Sequence, residues 1–334
     1  MKHKFLIIRF SSFGDIVQCM ESVRWLKRDF PDAEIHWLTR ADFAAWLQAQ
    51  PEIDRVWSVP TGSGFRALLE VARVLKQQQF PYVYDAHSNL RSHLASLVIA
   101  PWFRRAFGLL NFVRRPKNRL QRWLLFKWHW SLLPKPFKGA DSYIRPLHSW
   151  LKSTDPITTP PRPAWVTRPQ VEKSAAPLIA LAPSAAWPLK RWPLSHWVEL
   201  IRRLPDCRFV VLGGPADEFC ADLARLYPAQ VQNLAGKLNW SESCATIVQC
   251  DLVISGDTGI MHAADYLHIP TLALIGPTAF GYPAQPTSHV IELELSCKPC
   301  SKDGRGQCHN EIFQKCLRQL TPHQVSQRAR EALL

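Results

Sequence analysis

Residues 255–262 combine the residue types that bind a phosphate group. Their sequence is Ser-Gly-Asp-Thr-Gly-Ile-Met-His, and they follow an apolar run and open an amphipathic one. Gly256 and Gly259 permit a tight turn and a close approach of the backbone to a ligand, and the free N–H groups at a helix start attract anions. Asp257 or Thr258 would also fit as a plain helix cap. Since a cap requires neither two glycines nor the following histidine, we interpret this stretch as a phosphate-binding turn.

A second turn, residues 183–193, also follows an apolar run. It contains Ser184, whose hydroxyl can bond a phosphate oxygen, and Lys190, whose ammonium group can neutralise a departing diphosphate. The neighbouring Arg191 either shares that role or is a surface charge. The turn therefore supplies polar groups suited to the same anionic ligand.

A third turn, residues 213–218, has the sequence Gly-Gly-Pro-Ala-Asp-Glu. An acidic residue close to such a strand–helix turn can bind the hydroxyl groups of a ribose. Spacing alone makes Asp217 and Glu218 equal candidates.

Asp15 ends the first polar turn of the chain, residues 11–15. An Asp at the start of a helix is most often an N-cap. The helix dipole and the nearby N–H groups would keep this carboxylate ionised, and an ionised carboxylate can accept a proton from an attacking hydroxyl. The residue types alone leave both roles open, cap and general base.

These turns need strands and helices that alternate, and the chain contains that pattern twice. In the first half, strands are predicted at 5–10, 34–38, 53–59 and 82–84, with helix-like segments between them. In the second half, strands are predicted at 178–182, 209–212, 231–234, 252–255 and 271–275. The alternation predicts an α/β fold of two Rossmann-like domains, whose parallel sheets face each other across a cleft and bind ligands at the carboxyl ends of their strands.

The domain boundaries follow from a segment rich in Pro and Thr, residues 156–173, which is typical of a linker. We therefore predict a first domain at 1–155 and a second at 174–320. The remaining residues, 321–334, form a C-terminal helix that we expect to pack back on the first domain.

The charge is strongly positive and unevenly placed. The formal net charge is +14, and residues 86–140 contain no Asp or Glu. A basic, aromatic insert is predicted there, at about 91–138, with Trp102, Trp123, Trp128 and Trp130 among its Lys and Arg residues. Such a surface suits an anionic membrane, because Lys and Arg attract anionic headgroups and Trp favours the interface. The alternative is a solvated helical face with its Trp side chains buried.

Four of the nine cysteines, Cys297, Cys300, Cys308 and Cys316, fall within twenty residues. The first pair has zinc-ligand spacing, but the second pair does not repeat it. We expect a structural cluster or a reduced loop, and no catalytic metal. The apolar run near Met1 is short, so we expect no signal peptide there, and the sequence contains no apolar stretch of about 20 residues. We therefore expect a cytoplasmic protein, peripheral at the inner membrane.

Four stretches of the chain resemble glycosyltransferase family 9, the ADP-heptose:lipopolysaccharide heptosyltransferases. They occur in family order at 7–17 with Ser-Ser-x-Gly-Asp, 84–91 with Tyr-Asp-Ala-His-Ser-Asn-Leu-Arg, 190–197, and 251–277 with Gly-Asp-Thr-Gly-x-x-His. The resemblance implies a GT-B fold and an inverting, metal-independent transfer. The donor would be ADP-heptose, the acceptor a lipopolysaccharide inner core of the lipid A–Kdo type, and no cofactor would be required.

The resemblance also implies roles for single residues. Asp15 resembles the family's catalytic base, and Lys190, with Ser184 beside it, resembles the basic residue that faces the donor diphosphate. The donor side is completed by Asp257, Thr258, Gly259 and the supporting His262, with Glu218 at the ribose. The first domain would bind the acceptor through Ser11, Ser12, Gly14 and Arg91.

Other functions are compatible with parts of the sequence. A family member could use another nucleotide-sugar or acceptor, and nucleotide-sugar epimerases can share the fold, but no convincing pair of groups for proton exchange is identifiable. A basic nucleic-acid-binding protein would fit the charge and would leave the turn at Asp257 unexplained. No Gly-x-Gly-x-x-Gly follows the first strand, which argues against a nicotinamide-dependent dehydrogenase.

Overall fold

The computed structural model describes residues 3–159 and 176–334, which form two compact units. The first unit contains the described residues up to Lys117 and those from Ala140 to 159. The second contains Asn118–Gly139 and the described residues from 176 onward. The predicted insert at 91–138 therefore divides between the units. Its residues up to Lys117 belong to the first unit, and those from Asn118 onward belong to the second. Most of the predicted linker, residues 160–173, lies outside the described residues.

Each unit is built on one parallel sheet. The first has the order β3-β2-β1-β4-β5, with β1 (Lys4–Ile8), β2 (Glu34–Arg40), β3 (Arg55–Val59), β4 (Tyr82–Asp85) and β5 (Asn111–Arg114). The second has the order β11-β10-β9-β6-β7-β8, with β6 (Leu178–Ala182), β7 (Arg208–Val211), β8 (Val231–Asn233), β9 (Leu252–Gly256), β10 (Thr271–Ile275) and β11 (Ser288–Glu292). The predicted α/β class is confirmed in both units.

Helices connect the strands. They are α1 (Phe13–Asp29), α2 (Ala44–Gln48), α3 (Phe65–Gln77), α4 (Leu90–Ile99), α5 (Trp102–Ala106), α6 (Arg119–Trp128), α7 (Gly139–Ile144), α8 (Leu194–Arg203), α9 (Ala221–Leu226), α10 (Trp240–Val248), α11 (Gly259–Tyr266), α12 (Lys315–Arg318) and α13 (Pro322–Leu333). Because helices cover both faces of a parallel sheet, its central strands are buried on both sides, which explains their unbroken apolar runs. Strands β9 and β10 are buried along their whole length.

The C-terminal helix belongs to the second unit, whereas the expectation was that it packs on the first domain. Val325 and Ala329 of α13 are fully buried in the apolar core of the second sheet. The Arg330 guanidinium donates to the carbonyl of Arg203 at the end of α8 (2.5 Å). The apolar positions of α13 recur at helical spacing, but this periodicity predicts only that the helix has a buried face and does not say against which sheet.

Two edge strands, β5 and β11, were not predicted from the sequence. Strand β11 pairs with β10, and its pattern of half-buried and exposed residues lacks the apolar run on which strand prediction depends. Strand β5 lies inside the basic segment, where charged residues mask it. Within the described residues, no helix combines the length and the apolar character needed to span a bilayer.

Candidate functional site

The turn after β9 places the Asp257 carboxylate at the centre of a buried polar network. Its Oδ2 lies 2.9 Å from Lys190 Nζ and accepts a hydrogen bond from Thr278 Oγ1 (2.8 Å). Its Oδ1 lies 3.4 Å from His262 Nε2, one turn into α11. Side chains from three separate stretches of the chain therefore meet at the carboxyl end of one central strand.

The electrostatics of this network keep Asp257 ionised. Burial alone would raise the pKa of its carboxyl group, but the Lys190 charge and the His262 contact hold that pKa far below its usual range. Its side chain is only 11% exposed and that of Lys190 15%. The carboxylate is thus already occupied by protein partners, and its contacts orient Lys190.

The start of α11 lacks a side-chain cap from its N-cap residue. Thr258 stands at the N-cap position, but its side chain makes no capping bond and lies instead 3.0 Å from Ser255 Oγ. Thr258 and Gly259 are half-buried, in contrast to the buried residues before and after them. The N–H groups of the first turn are therefore not capped by Thr258, as an anion-binding helix start requires.

Lys190 is held by a second loop as well. Gly304 has a positive φ of 89°, and a Cβ added there would lie 2.6 Å from Lys190 Cγ. Only a glycine lets that backbone pack so closely on the lysine stem. The neighbouring Arg191 donates through Nε to the carbonyl of Ala185 (2.9 Å), so it shapes the loop that carries Ser184.

The geometry separates the two acidic candidates of the third turn. Asp217 Oδ2 accepts a hydrogen bond from the N–H of Gly214 (2.7 Å), and this carboxylate therefore closes the turn. Glu218, in the short 3-10 turn Glu218–Cys220, is exposed. A Cβ added at Gly213 would lie 3.3 Å from Ser184 Oγ, which places Ser184 against this turn. Glu218 is therefore the acid of this turn whose side chain remains accessible to a ligand.

Gly281 packs directly on the Asp257 carboxylate and leaves no room for a larger side chain. A Cβ added at Gly281 would lie 2.2 Å from Asp257 Cγ, closer than atoms can approach. We expect Gly281→Ala to displace the carboxylate and to lower the free energy of unfolding by about 1–3 kcal/mol, measured by urea denaturation. The matched control is Gly64→Ala, where no atom lies within 4 Å. Equal stability of the two variants would contradict the prediction.

In the first unit, Asp15 is the third residue of α1 and Ser12 is its N-cap. Asp15 Oδ2 lies 2.6 Å from Arg9 and accepts a hydrogen bond from Ser12 Oγ (2.9 Å). The Tyr143 hydroxyl donates to Oδ1 (2.8 Å). The carboxylate contacts the backbone N–H of Ser12 (3.3 Å), as in a capping box, yet a lone cap needs neither the arginine nor the tyrosine.

The charges around Asp15 fix its protonation. Burial would raise the pKa of its carboxyl group, but Arg9, Arg115 and the hydrogen bonds from Tyr143 and Ser12 hold that pKa well below its usual range. Burial also raises the pKa of the Tyr143 hydroxyl, so this group remains a proton donor. Since the Asp15 side chain is 37% exposed, the ionised carboxylate is accessible to a substrate hydroxyl.

The other first-unit candidates separate into two groups. Ser11, Ser12 and Gly14 share the turn with Asp15, and Ser12 is the most exposed of the three. Arg91 lies elsewhere: its guanidinium donates to the carbonyl of Ser63 and lies 5.9 Å from the ring centre of Phe65. The contacts of Arg91 thus join α4 to the loop before α3.

Sequence reasoning missed Arg9, Tyr143 and Thr278. Arg9 interrupts an otherwise apolar run at the end of β1, and a charge in such a position was an available signal. It is 6% exposed and donates to the Ala86 carbonyl (3.1 Å). Nothing near Tyr143 in sequence points to Asp15, because 128 residues separate them.

The four clustered cysteines are free thiols, three of them half-buried and Cys316 buried. Burial raises the pKa of Cys300 and of Cys316, so both favour the neutral form. Within the described part of the chain, no three His, Cys, Asp or Glu side chains are arranged to hold a metal ion. The loop that carries these cysteines packs on Lys190 through Gly304.

Comparisons with known proteins agree on a single family. The sequence model described as "Glycosyltransferase family 9 (heptosyltransferase)" matches residues 159–311. The chain is 27% identical to lipooligosaccharide heptosyltransferase 2 of Haemophilus ducreyi, over 99% of both chains. Among solved structures, it resembles E. coli ADP-heptose lps heptosyltransferase II (TM-score 0.73, 22% identity, 100% and 98% covered). It also resembles E. coli heptosyltransferase WaaC with ADP (TM-score 0.70, 19% identity, 98% and 99% covered).

These likenesses extend over both units. The structural matches, at this low identity, establish the shared GT-B fold. The sequence match to the family lies mainly in the second unit, where the Asp257 network is found. Together with the full-length relative, it shows that the chain is similar to glycosyltransferase family 9, and this similarity indicates a glycosyltransferase.

Proposed function

We propose that this protein transfers a heptose from ADP-heptose to the inner core of lipopolysaccharide, with inversion at the anomeric carbon. The observation that carries the proposal is the pairing of an uncapped helix start at Thr258 with a lysine held beside it by Asp257. This arrangement suits a nucleoside diphosphate. A relative named lipooligosaccharide heptosyltransferase 2 and a heptosyltransferase solved with ADP support the choice of sugar and nucleotide.

The donor groups act on the leaving diphosphate. As the bond between the anomeric carbon and the phosphate oxygen breaks, its electron pair passes to the departing ADP. The Lys190 ammonium and the N–H groups at the start of α11 stabilise the growing negative charge. Since fixed protein charges perform this task, the proposed reaction assigns no step to a metal. Exposed Glu218 binds the ribose hydroxyls, while Asp257 and His262 position Lys190.

The acceptor group acts through Asp15. An acceptor hydroxyl attacks the anomeric carbon from the face opposite the diphosphate, and its proton passes to the Asp15 carboxylate. Arg9 and Tyr143 hold that carboxylate ionised and oriented. Ser11, Ser12 and Gly14 line the same turn and would contact the acceptor. Since the proposed acceptor is anchored in a membrane, the proposed reaction takes place at the cytoplasmic face of the inner membrane.

A donor screen tests the proposal. We expect ADP to raise Tm more than UDP does, and ADP-heptose with a lipid A–Kdo acceptor to give a product whose mass increases by one heptose. A mass spectrum of the acceptor after incubation with ADP-heptose, UDP-glucose or ADP-glucose measures the outcome. Transfer from UDP-glucose but not from ADP-heptose would overturn the proposed donor, while the protein would still be a glycosyltransferase.

A further inference from the structure

Residues 118–139, here called the Trp segment, form a basic and apolar surface on the second unit. The segment contains five Lys or Arg, three Trp and no Asp or Glu. Its exposed apolar side chains are Leu120 (69%), Trp123 (52%), Trp128 (48%), Trp130 (65%) and Leu132 (64%). The alternative of a solvated face with buried Trp side chains is therefore wrong for this segment. Large apolar groups in such a cluster mark an interaction surface.

The three tryptophans form one continuous cluster at the end of α6. The rings of Trp123 and Trp128 lie 4.7 Å apart between centroids in an edge-to-face arrangement. Those of Trp128 and Trp130 lie 5.6 Å apart. Leu125, on the same helix, is 4% exposed. The helix thus buries one face and presents the aromatic cluster on another.

The Trp segment packs against the loop of residues 278–284, whose Gly281 lies on the Asp257 carboxylate. Phe126 and Phe137 both contact the ring of Phe280 edge-to-face, at 5.7 and 5.2 Å. Lys138 Nζ donates to the carbonyl of Ala284 (3.2 Å). Phe280 adjoins Gly281, whose backbone packs on the Asp257 carboxylate. The surface therefore packs against the loop that lies on the Asp257 network.

Cations accompany the aromatic cluster. An open pocket of about 370 Å³ is lined by Arg122, Trp123, Phe126, Lys127 and Lys302. Three positive side chains around an aromatic wall match the chemistry of a phosphate headgroup at a lipid interface. Trp favours the headgroup region, and each nearby Lys or Arg strengthens binding to anionic lipid.

We propose that the Trp segment is a membrane-docking surface that binds an anionic bilayer through its tryptophans and its lysines. The proposal does not depend on which sugar is transferred. Docking here would hold the loop over Asp257 close to the bilayer and would bring the donor site to a lipid-anchored acceptor.

Co-sedimentation of the full chain with vesicles tests the proposal. We expect binding to vesicles of phosphatidylglycerol and phosphatidylcholine in equal parts and little binding to phosphatidylcholine alone. Binding should weaken between about 0.05 M and about 0.5 M salt, because surface charges are screened. The variant W123S/W128S/W130S should lose most binding. The variant K127Q/K135Q should lower the partition coefficient roughly tenfold or more.

The controls are matched in chemistry and lie outside the Trp segment. L226S/F313S removes two exposed apolar side chains of the second unit, and R73Q/K76Q removes two exposed charges on α3. Both should bind vesicles as the unaltered chain does, and Tm measurements verify that every variant is folded. Unchanged sedimentation of W123S/W128S/W130S, or equal binding to neutral vesicles, would overturn the proposal. The proposal would also be overturned if the unaltered chain bound single-stranded DNA but not vesicles, and W123S/W128S/W130S lost the DNA binding. That result would assign the surface to nucleic acid.

Discussion

Replacement of Asp15 with asparagine should lower kcat by about 10²- to 10⁴-fold while leaving the KM for the donor unchanged. The amide keeps the shape of the side chain and can still accept a hydrogen bond from Tyr143, but it cannot take a proton from the acceptor. A loss confined to kcat is the signature of an interaction that acts in the transition state. Steady-state kinetics with ADP-heptose and a lipid A–Kdo acceptor measure both constants.

A control on the same helix separates chemistry from folding. Asp29, at the far end of α1, also pairs with an arginine, Arg28 (2.7 Å), and accepts hydrogen bonds from the backbone of Lys152 and Ser153. Asp29→Asn should destabilise the first unit and leave kcat nearly intact. Near-normal kcat in Asp15→Asn, or an equal loss in both variants, would remove Asp15 from the role of base.

The pH dependence gives a second readout of the same assignment. Because Arg9, Arg115 and the hydrogen bonds hold the pKa of Asp15 below its ordinary range, the base remains ionised at mildly acidic pH. The stability contributed by these contacts is likewise present above the ordinary Asp pKa and is lost as pH falls through the depressed one. We therefore expect no acid limb from Asp15 in kcat/KM above about pH 4. An acid limb between about pH 5 and 7 would require another base.

The turns were predictable because their signals are local. Apolar runs followed by Gly-rich or Ser-rich turns placed Asp15, Lys190 and Asp257 at the ends of β1, β6 and β9, and the structure has all three strands there. Strands β6 and β9 are neighbours in one parallel sheet, which brings their carboxyl ends to the same edge, so the sequence predicts that Lys190 and Asp257 lie close together. The sequence does not predict which polar atoms of that site already bind other groups of the protein.

The partners were not predictable because they are distant in sequence. Thr278 lies 21 residues from Asp257, and Tyr143 lies 128 residues from Asp15. The choice between Asp217 and Glu218 likewise depended on which carboxylate closes its own turn, a matter of backbone geometry. Residues 118–139 of the basic segment belong to the second unit, where Phe126 and Phe137 contact Phe280, and no local pattern encodes such contacts.

Replacement of Lys190 with methionine should lower kcat by about 10²- to 10³-fold and raise the KM for the donor. The diphosphate would lose the nearest fixed positive charge at the moment when its bond to the sugar breaks. The same change leaves a buried carboxylate with one partner fewer, and loss of one member of a buried pair costs about 3–5 kcal/mol of stability. Kinetic loss and structural damage therefore occur together in this single variant.

A double variant separates them. In Lys190→Met/Asp257→Asn both charges of the 2.9 Å pair are gone, and Thr278 can still donate to the carbonyl oxygen of the introduced amide. Removing both partners of a buried pair is far less destabilising than removing one. We therefore expect Tm to recover towards that of the unaltered protein while kcat remains low. The control is Arg208→Met, which removes a charge from the amino end of β7, whereas the Asp257 network lies at the carboxyl ends of the strands. This variant should change neither kcat nor Tm. If the double variant regains kcat along with Tm, Lys190 acts on the fold and not on the leaving group.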